Sequence, residues 1–184
     1  MVVSLMIKKF FSSFFKADTQ MAEPQVVTAD PNRVRYIIVD MHNTATENPE
    51  LIQGLAAFKE KYNVKIVACG NAMPGETEES LEEMGVTDLV DYVRYPCLSK
   101  FIPIANNDDR ICAHEKHDPQ FWEHLTFEGQ KALPQDMFLI DDAFKNCDAM
   151  RMAGGQFYYF DIFKKKRPDN NQSAVTAVKN WLQP

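Results

Sequence analysis

Short apolar runs alternate along this chain with stretches whose apolar residues recur every three or four positions. Residues 34–39 (VRYIIV), 64–68 (VKIVA), 137–140 (MFLI) and 156–160 (QFYYF) are compact and rich in β-branched or aromatic side chains, so they predict buried strands. Another strand is expected within residues 89–95. Asn48 and Pro49 open a helix as cap and first-turn residue, with Leu51, Ile52, Leu55, Phe58 and Tyr62 along one side. Residues 74–84 predict a second helix, whose early glutamates suit its positive end and which Gly85 stops. Residues 118–133 predict a third, on Phe121, Trp122, Leu125 and Phe127. Residues 143–153 predict a fourth, closed by Gly154 and Gly155. Ser173 caps a last helix that carries Val175, Val178, Trp181 and Leu182. Residues 96–117 follow neither period. Strands alternating with helices imply parallel βαβ units, so the expected fold is α/β, a three-layer doubly wound Rossmann-like sheet. Ligands bind beyond the carboxyl ends of such strands.

The first 33 residues stand outside that alternation. In residues 1–16 a helical wheel gathers Val3, Met6, Ile7, Phe10, Phe11 and Phe14 on one face, with Lys8, Lys9, Ser12 and Lys16 opposite. Such a basic amphipathic segment fits a membrane surface, a protein partner or the domain itself. It makes a poor signal peptide, because its basic residues follow the first apolar stretch and no small-residue cleavage site is evident. Residues 17–33 are polar, hold Pro24 and Pro31 and read as a linker. The remaining residues, 34–184, read as one domain. No run of about 18 apolar residues predicts a membrane span, so a cytoplasmic protein is expected, with membrane association left to the N-terminal segment.

Composition narrows the classes. The chain has 184 residues, 45% of them hydrophobic and 25% charged, enough for one core without disulfide staples. The net charge of -6 argues against a general nucleic-acid binder and leaves room for a small phosphorylated ligand. The basic run KKKR at 164–167 reads as an exposed loop. Cys69, Cys97, Cys112 and Cys147 form no C-x-x-C pair and read as reduced thiols. Cys112, His114 and His117, with Cys97 nearby, are a weak zinc alternative that matches no standard spacing.

Chemistry concentrates where the apolar runs stop. The first stops at Asp40-Met41-His42-Asn43-Thr44, the second at Cys69-Gly70-Asn71, and the fourth at Asp141-Asp142, with Asn146 beyond. Lys116 precedes the helix leading into the fourth strand. Each residue alone has an ordinary reading: strand-end aspartates cap turns and helices, and most lysines are solvated. Together they would meet on one rim. Three carboxylates within about 5 Å cost about 3 kcal/mol per like-charge pair at an effective dielectric near 20. Such a cluster calls for bound protons or a cation. Three hard oxygen donors beside a phosphate suit Mg²⁺, and Lys116 adds a positive charge for an anion.

From about residue 34 to 160 this set resembles the haloacid-dehalogenase superfamily. That family carries D-x-D-x-T, then a Ser or Thr after a strand, then a Lys, then an acidic pair after a strand. Lys116-His117-Asp118-Pro119 with Phe121, followed by FLIDDAFKNCDAMRMAGG, is the best-matching part. The resemblance implies a Mg²⁺-dependent phosphatase in which Asp40 is the nucleophile and forms an aspartyl-phosphate. It implies Asp40, Asp141, Asp142 and the main-chain carbonyl of His42 as metal ligands. Lys116 would neutralise nucleophile and phosphate, Thr44 would shape the first loop, and Asn146 would support the acidic pair. Cys69 or Gly70, with Asn71, would take the phosphate-binding place. The short gaps between motifs imply little or no cap domain, and an open site would suit a bulky or macromolecular phosphorylated substrate.

Two departures matter. His42 stands where family phosphatases carry a second Asp as general acid and base, and Cys69 stands where Ser or Thr is usual. Histidine can shuttle protons near neutral pH. A thiol donates hydrogen bonds weakly, so phosphate would rest on backbone N–H groups there. These departures leave a second expectation, an inactive binding or scaffold domain. A metal-independent dehalogenase is a third, disfavoured by the retained acidic pair. A response-regulator receiver would carry its acidic pair after the first strand, the reverse of the order here.

Overall fold

Three of the apolar runs form the centre of one parallel sheet, in which each is covered on both faces. The computed structural model describes residues 33–96, 110–161 and 168–183. The expectations for residues 1–16 and 17–32, for Cys97 and for the basic run at 164–167 lie outside the described residues. The sheet strands are β1 (Arg35–Asp40), β2 (Val64–Cys69), β3 (Tyr92–Arg94), β6 (Met137–Asp141) and β7 (Gln156–Tyr159), in the order β3-β2-β1-β6-β7. All neighbouring pairs are parallel. The chain thus winds outward from β1 in both directions, which makes the gap between β1 and β6 a topological switch point.

Alternation along the strands divides the core into two layers. Ile37, Val39, Ile66, Ala68 and Ile140 face α1 (Pro49–Ala56), α2 (Glu76–Glu83) and α5 (Pro168–Leu182) through Leu51, Leu55, Leu81, Ala174 and Val178. Ile38, Val67, Cys69 and Leu139 face α3 (Pro119–Glu123) and α4 (Phe144–Ala153) through Phe121, Trp122, Cys147 and Met150. Near-continuous apolar runs are what a strand buried on both faces requires. The α/β, doubly wound, three-layer architecture is therefore the one the pattern implied. No helix among the described residues is long and apolar enough to cross a membrane.

Helix ends differ from expectation in four places. The first helix stops at Ala56, and the chain continues in turns through Phe58 and Tyr62, which still pack on the same core. Asn48 stands at its cap position, but its side chain donates to the Thr44 carbonyl at 2.8 Å instead of accepting a helix N–H. The last helix opens at Pro168, not at Ser173, which lies exposed in its interior. Proline presets helical φ and lacks an N–H that the first turn could not use. Arg35 closes the other end of this helix, donating to the carbonyls of Trp181 and Leu182 at 3.3 and 3.2 Å.

The largest departure is residues 118–133. The helix there is only Pro119–Glu123, followed by an antiparallel hairpin of β4 (Thr126–Phe127) and β5 (Gln130–Lys131). Glu128 and Gly129 turn the chain with φ of 52° and 74°, the pair of positive values that a tight hairpin turn needs. The Phe127 ring stacks on Tyr36 at 4.2 Å and tilts against Tyr92 at 4.9 Å. The Arg94 guanidinium lies over Phe127 and donates to the Thr126 carbonyl at 2.7 Å. These tertiary contacts outweigh the helical spacing of Leu125 and Phe127. Between β1 and β2 the chain supplies only a loop and α1, so no cap domain is inserted there.

Candidate active site

Asp40 and Asp141 are the last residues of β1 and β6, the two strands flanking the switch point. Strand alternation turns both carboxylates toward the layer of α3 and α4. They meet Lys116, which comes from the turn before α3 and is buried with them; the three are 2%, 0% and 2% exposed. Lys116 Nζ donates to Asp40 Oδ1, to Asp141 Oδ2 at 3.1 Å and to the Cys69 carbonyl at 3.5 Å. Burial raises the Asp40 carboxyl above its ordinary value, and Asp141 and Asp142 add to that, while Lys116 opposes it. Burial lowers the Lys116 ammonium, but the two carboxylates beside it outweigh burial and raise it. The lysine is therefore held charged.

Asp141 is fixed by more than the lysine. Its Oδ1 accepts the Ala143 N–H at 2.8 Å, and Asn146 Nδ2 donates to both its oxygens at 3.1 and 3.0 Å. The bland reading of a strand-end aspartate that organises the next turn thus holds for one oxygen of Asp141. Asp142 follows, half-buried, on the same rim. Asp40, Asp141 and Asp142 each offer one oxygen, all within 4.8 Å of one another, and they form the one cluster of three potential metal ligands among the described residues.

The loop after Asp40 is a tight turn. His42 (φ -68°, ψ 132°) and Asn43 (φ 59°, ψ -7°) have the dihedrals of the two central residues of a type II turn. Asn43 tolerates the left-handed position better than most residues. Both side chains are exposed, so the His42 ring faces solvent above the carboxylates' loop. Thr44 is buried, its carbonyl takes the Asn48 amide, and its hydroxyl makes no hydrogen bond.

The end of β2 is arranged less as the sequence suggested. Cys69 is fully buried in the apolar layer with Val67 and Leu139, and burial pushes its thiol up to about 12. It contributes its carbonyl to Lys116, and its thiol belongs to the core. The Gly70 N–H is held by the Arg94 carbonyl at 3.2 Å, so it is engaged within the sheet. Asn71 is exposed. Thr77, in the first turn of α2, packs against Gly70 with a buried hydroxyl. Sequence reasoning gave no sign of it, since it reads as one polar residue in an acidic helix.

Cys112, His114 and His117 do not gather. His114 Nδ1 lies 3.4 Å from Asp118 and stacks on His124, while His117 Nδ1 lies 3.2 Å from Glu115. They form no three-ligand cluster among the described residues.

Comparison with known proteins shows the fold. No protein-family model matches the chain, and no curated protein does. Among solved structures, an uncharacterized protein from Corynebacterium glutamicum superposes with a TM-score of 0.53 at 18% identity, over 80% of this chain and 94% of that one. A proposed beta-phosphoglucomutase from Thermotoga maritima superposes with a TM-score of 0.50 at 15% identity, over 74% of this chain and 63% of that one. At these identities the likeness concerns the Rossmann-like α/β architecture and not the chemistry.

Proposed function

We propose that this chain is a Mg²⁺-dependent phosphomonoester hydrolase with Asp40 as nucleophile. The observation that carries this reading is the buried surplus of negative charge at the switch point. Three carboxylates share one lysine there, with oxygens within 4.8 Å. The donors are all hard oxygens, which fit Mg²⁺ and not a thiophilic ion. A divalent cation would also balance the charge. Asp40, Asp141, Asp142 and the His42 carbonyl would hold it, and the orphaned Thr44 hydroxyl beside them fits a site that accepts a further polar group. Bound there, the metal supplies charge stabilisation for the phosphoryl oxygens.

The chain's own residues carry the steps. A carboxylate oxygen of Asp40 attacks phosphorus, the bond to the leaving oxygen breaks, and an aspartyl-phosphate forms. Lys116 offsets charge on the nucleophile and the phosphoryl group. His42, exposed on the loop two residues on, exchanges protons with solvent and protonates the leaving oxygen. Water then attacks phosphorus, which releases inorganic phosphate and restores Asp40. Asn146 keeps Asp141 in place. Gly70 and Asn71 line the phosphate side. Only one helix separates β1 from β2, so the rim favours a bulky or macromolecular phosphorylated substrate.

The test is release of phosphate from p-nitrophenyl phosphate with Mg²⁺. Asp40→Asn is expected to fall to background, on the order of 10⁴-fold, as for covalent nucleophiles elsewhere. Unchanged turnover would remove Asp40 from the mechanism, and turnover that persists in chelator would favour metal-independent chemistry at the same residue. The solvent-facing His42 and the core-facing Cys69 favour a second reading, a binding domain that keeps the site without turnover. It predicts that His42→Asp gains activity over a silent parent. If that substitution instead silences an active parent, His42 is catalytic.

A further inference from the structure

At the end of β2 the chain has no side-chain donor of its own for a bound anion. Cys69 is turned into the core, Gly70 has no side chain, and its N–H is held by Arg94. The space a side chain at position 70 would enter is taken by Thr77. A Cβ placed on Gly70 would stand 2.5 Å from the Thr77 hydroxyl oxygen and 3.7 Å from the Met41 Cβ. The hydroxyl is thus set against the loop after β2, close to the residue that follows Asp40, whose own register partner is Cys69.

Thr77 is 2% exposed, and its hydroxyl makes no hydrogen bond. The Tyr95 phenol is near enough to be influenced by it, but that phenol donates to Glu78 and accepts the Gly75 N–H at 3.3 Å. A buried hydroxyl without a partner costs stability that valine, of nearly the same shape, would not. Thr77 therefore fits a group kept for a ligand, in a place where no other side chain of β2 can reach one.

We infer that Thr77 donates its hydroxyl hydrogen to an oxygen of the bound phosphoryl group, making from α2 the contact that Gly70 cannot make. The inference rests on the phosphohydrolase reading. Its test is isothermal titration of the full chain with inorganic phosphate in the presence of Mg²⁺, beside thermal melts without phosphate. Thr77→Val is expected to bind phosphate about tenfold more weakly, the worth of a hydrogen bond to a charged group. Its phosphate-free melting midpoint should be equal to or above that of the wild type. Thr77→Ser should bind like the wild type. Gly70→Ser alone should be destabilised by the collision with Thr77, whereas Gly70→Ser with Thr77→Ala should recover both stability and binding. A Thr77→Val variant that binds phosphate as well as the wild type overturns this inference alone. So does one that only loses stability, for Thr77 is then a packing residue. A wild type that takes up no phosphate with Mg²⁺ overturns the phosphohydrolase reading itself.

Discussion

Two lysine–aspartate clusters sit on this sheet in opposite proportions. Near the β2–β3 edge, Asp91 is shared by Lys59 at 2.9 Å and Lys65 at 3.3 Å, with lysine side chains 28% and 39% exposed. At the carboxyl rim, Lys116 is shared by Asp40 and Asp141, with Asp142 beside them, and none of the three paired side chains is more than 3% exposed. The first cluster has cations to spare and water to screen them, so it is an ordinary surface feature of modest worth. The second has carboxylates to spare and almost no water. A buried surplus of one sign opposes folding unless another ion joins it. An arrangement kept despite that cost points to chemistry.

The contrast is broken most directly at Lys116. Lys116→Met leaves Asp40 and Asp141 buried without their cation, and removing one partner of a buried pair costs about 3–5 kcal/mol. Denaturant unfolding in chelator should show a loss of that size, and added Mg²⁺ should return part of it. Phosphate release should fall as well. A metal-free variant as stable as the wild type would mean that the carboxylates do not depend on the lysine, and the rim would then resemble the Asp91 cluster.

Metal is the next lever. An ion that binds only the native state stabilises it by about 2.7 kcal/mol at a hundredfold excess over its dissociation constant. Mg²⁺ should therefore raise the melting midpoint of the wild type, and chelator should reverse the rise. Asp142→Asn should lose most of that shift while leaving both partners of Lys116 in place. If Asp142→Asn responds to Mg²⁺ as the wild type does, the ion binds elsewhere.

The rim was legible because polarity breaks off sharply there. Residues 35–39 and 137–140 admit no strand-interior charge apart from Arg35 at the open end, so Asp40 and Asp141 had to stand where the strands emerge. Lys116 was legible only from its order before the fourth apolar run, since residues 96–117 carry no period. Cys69 shows a signal left unused. Alternation by two places it with Val67 on the α3–α4 face, and the structure finds it there. The hairpin was hidden for a physical reason. Leu125 and Phe127 continue the helical spacing of Phe121 and Trp122, and Glu-Gly is a weaker hairpin signal than Asn-Gly. What decides the local fold is the Phe127 ring between Tyr36 and Tyr92, residues distant in sequence. Thr77 was invisible because its meaning lies in the absence of a side chain at Gly70.

The smallest expected effect sharpens the comparison from its other side. Asp91→Asn removes an anion held by two lysines and by the Ile66 N–H at 2.8 Å. With those partners partly solvated, the loss should be about 1 kcal/mol, with turnover unchanged. Its pH dependence has a definite sign. Burial raises the Asp91 carboxyl, but the Ile66 N–H and the two lysines outweigh it and hold the group below its ordinary value. A carboxyl depressed in the folded state stabilises fully above its unfolded pKa, about 3.9, and that stabilisation is lost as pH falls through the folded value. The difference between wild type and Asp91→Asn should thus stay constant from about pH 5 to 8 and close below about pH 4. A difference that grew on acidification would mean that Asp91, like Asp40, is raised by its surroundings. The two clusters would then differ in exposure alone, and surplus carboxylate would no longer mark the rim as the chemical site.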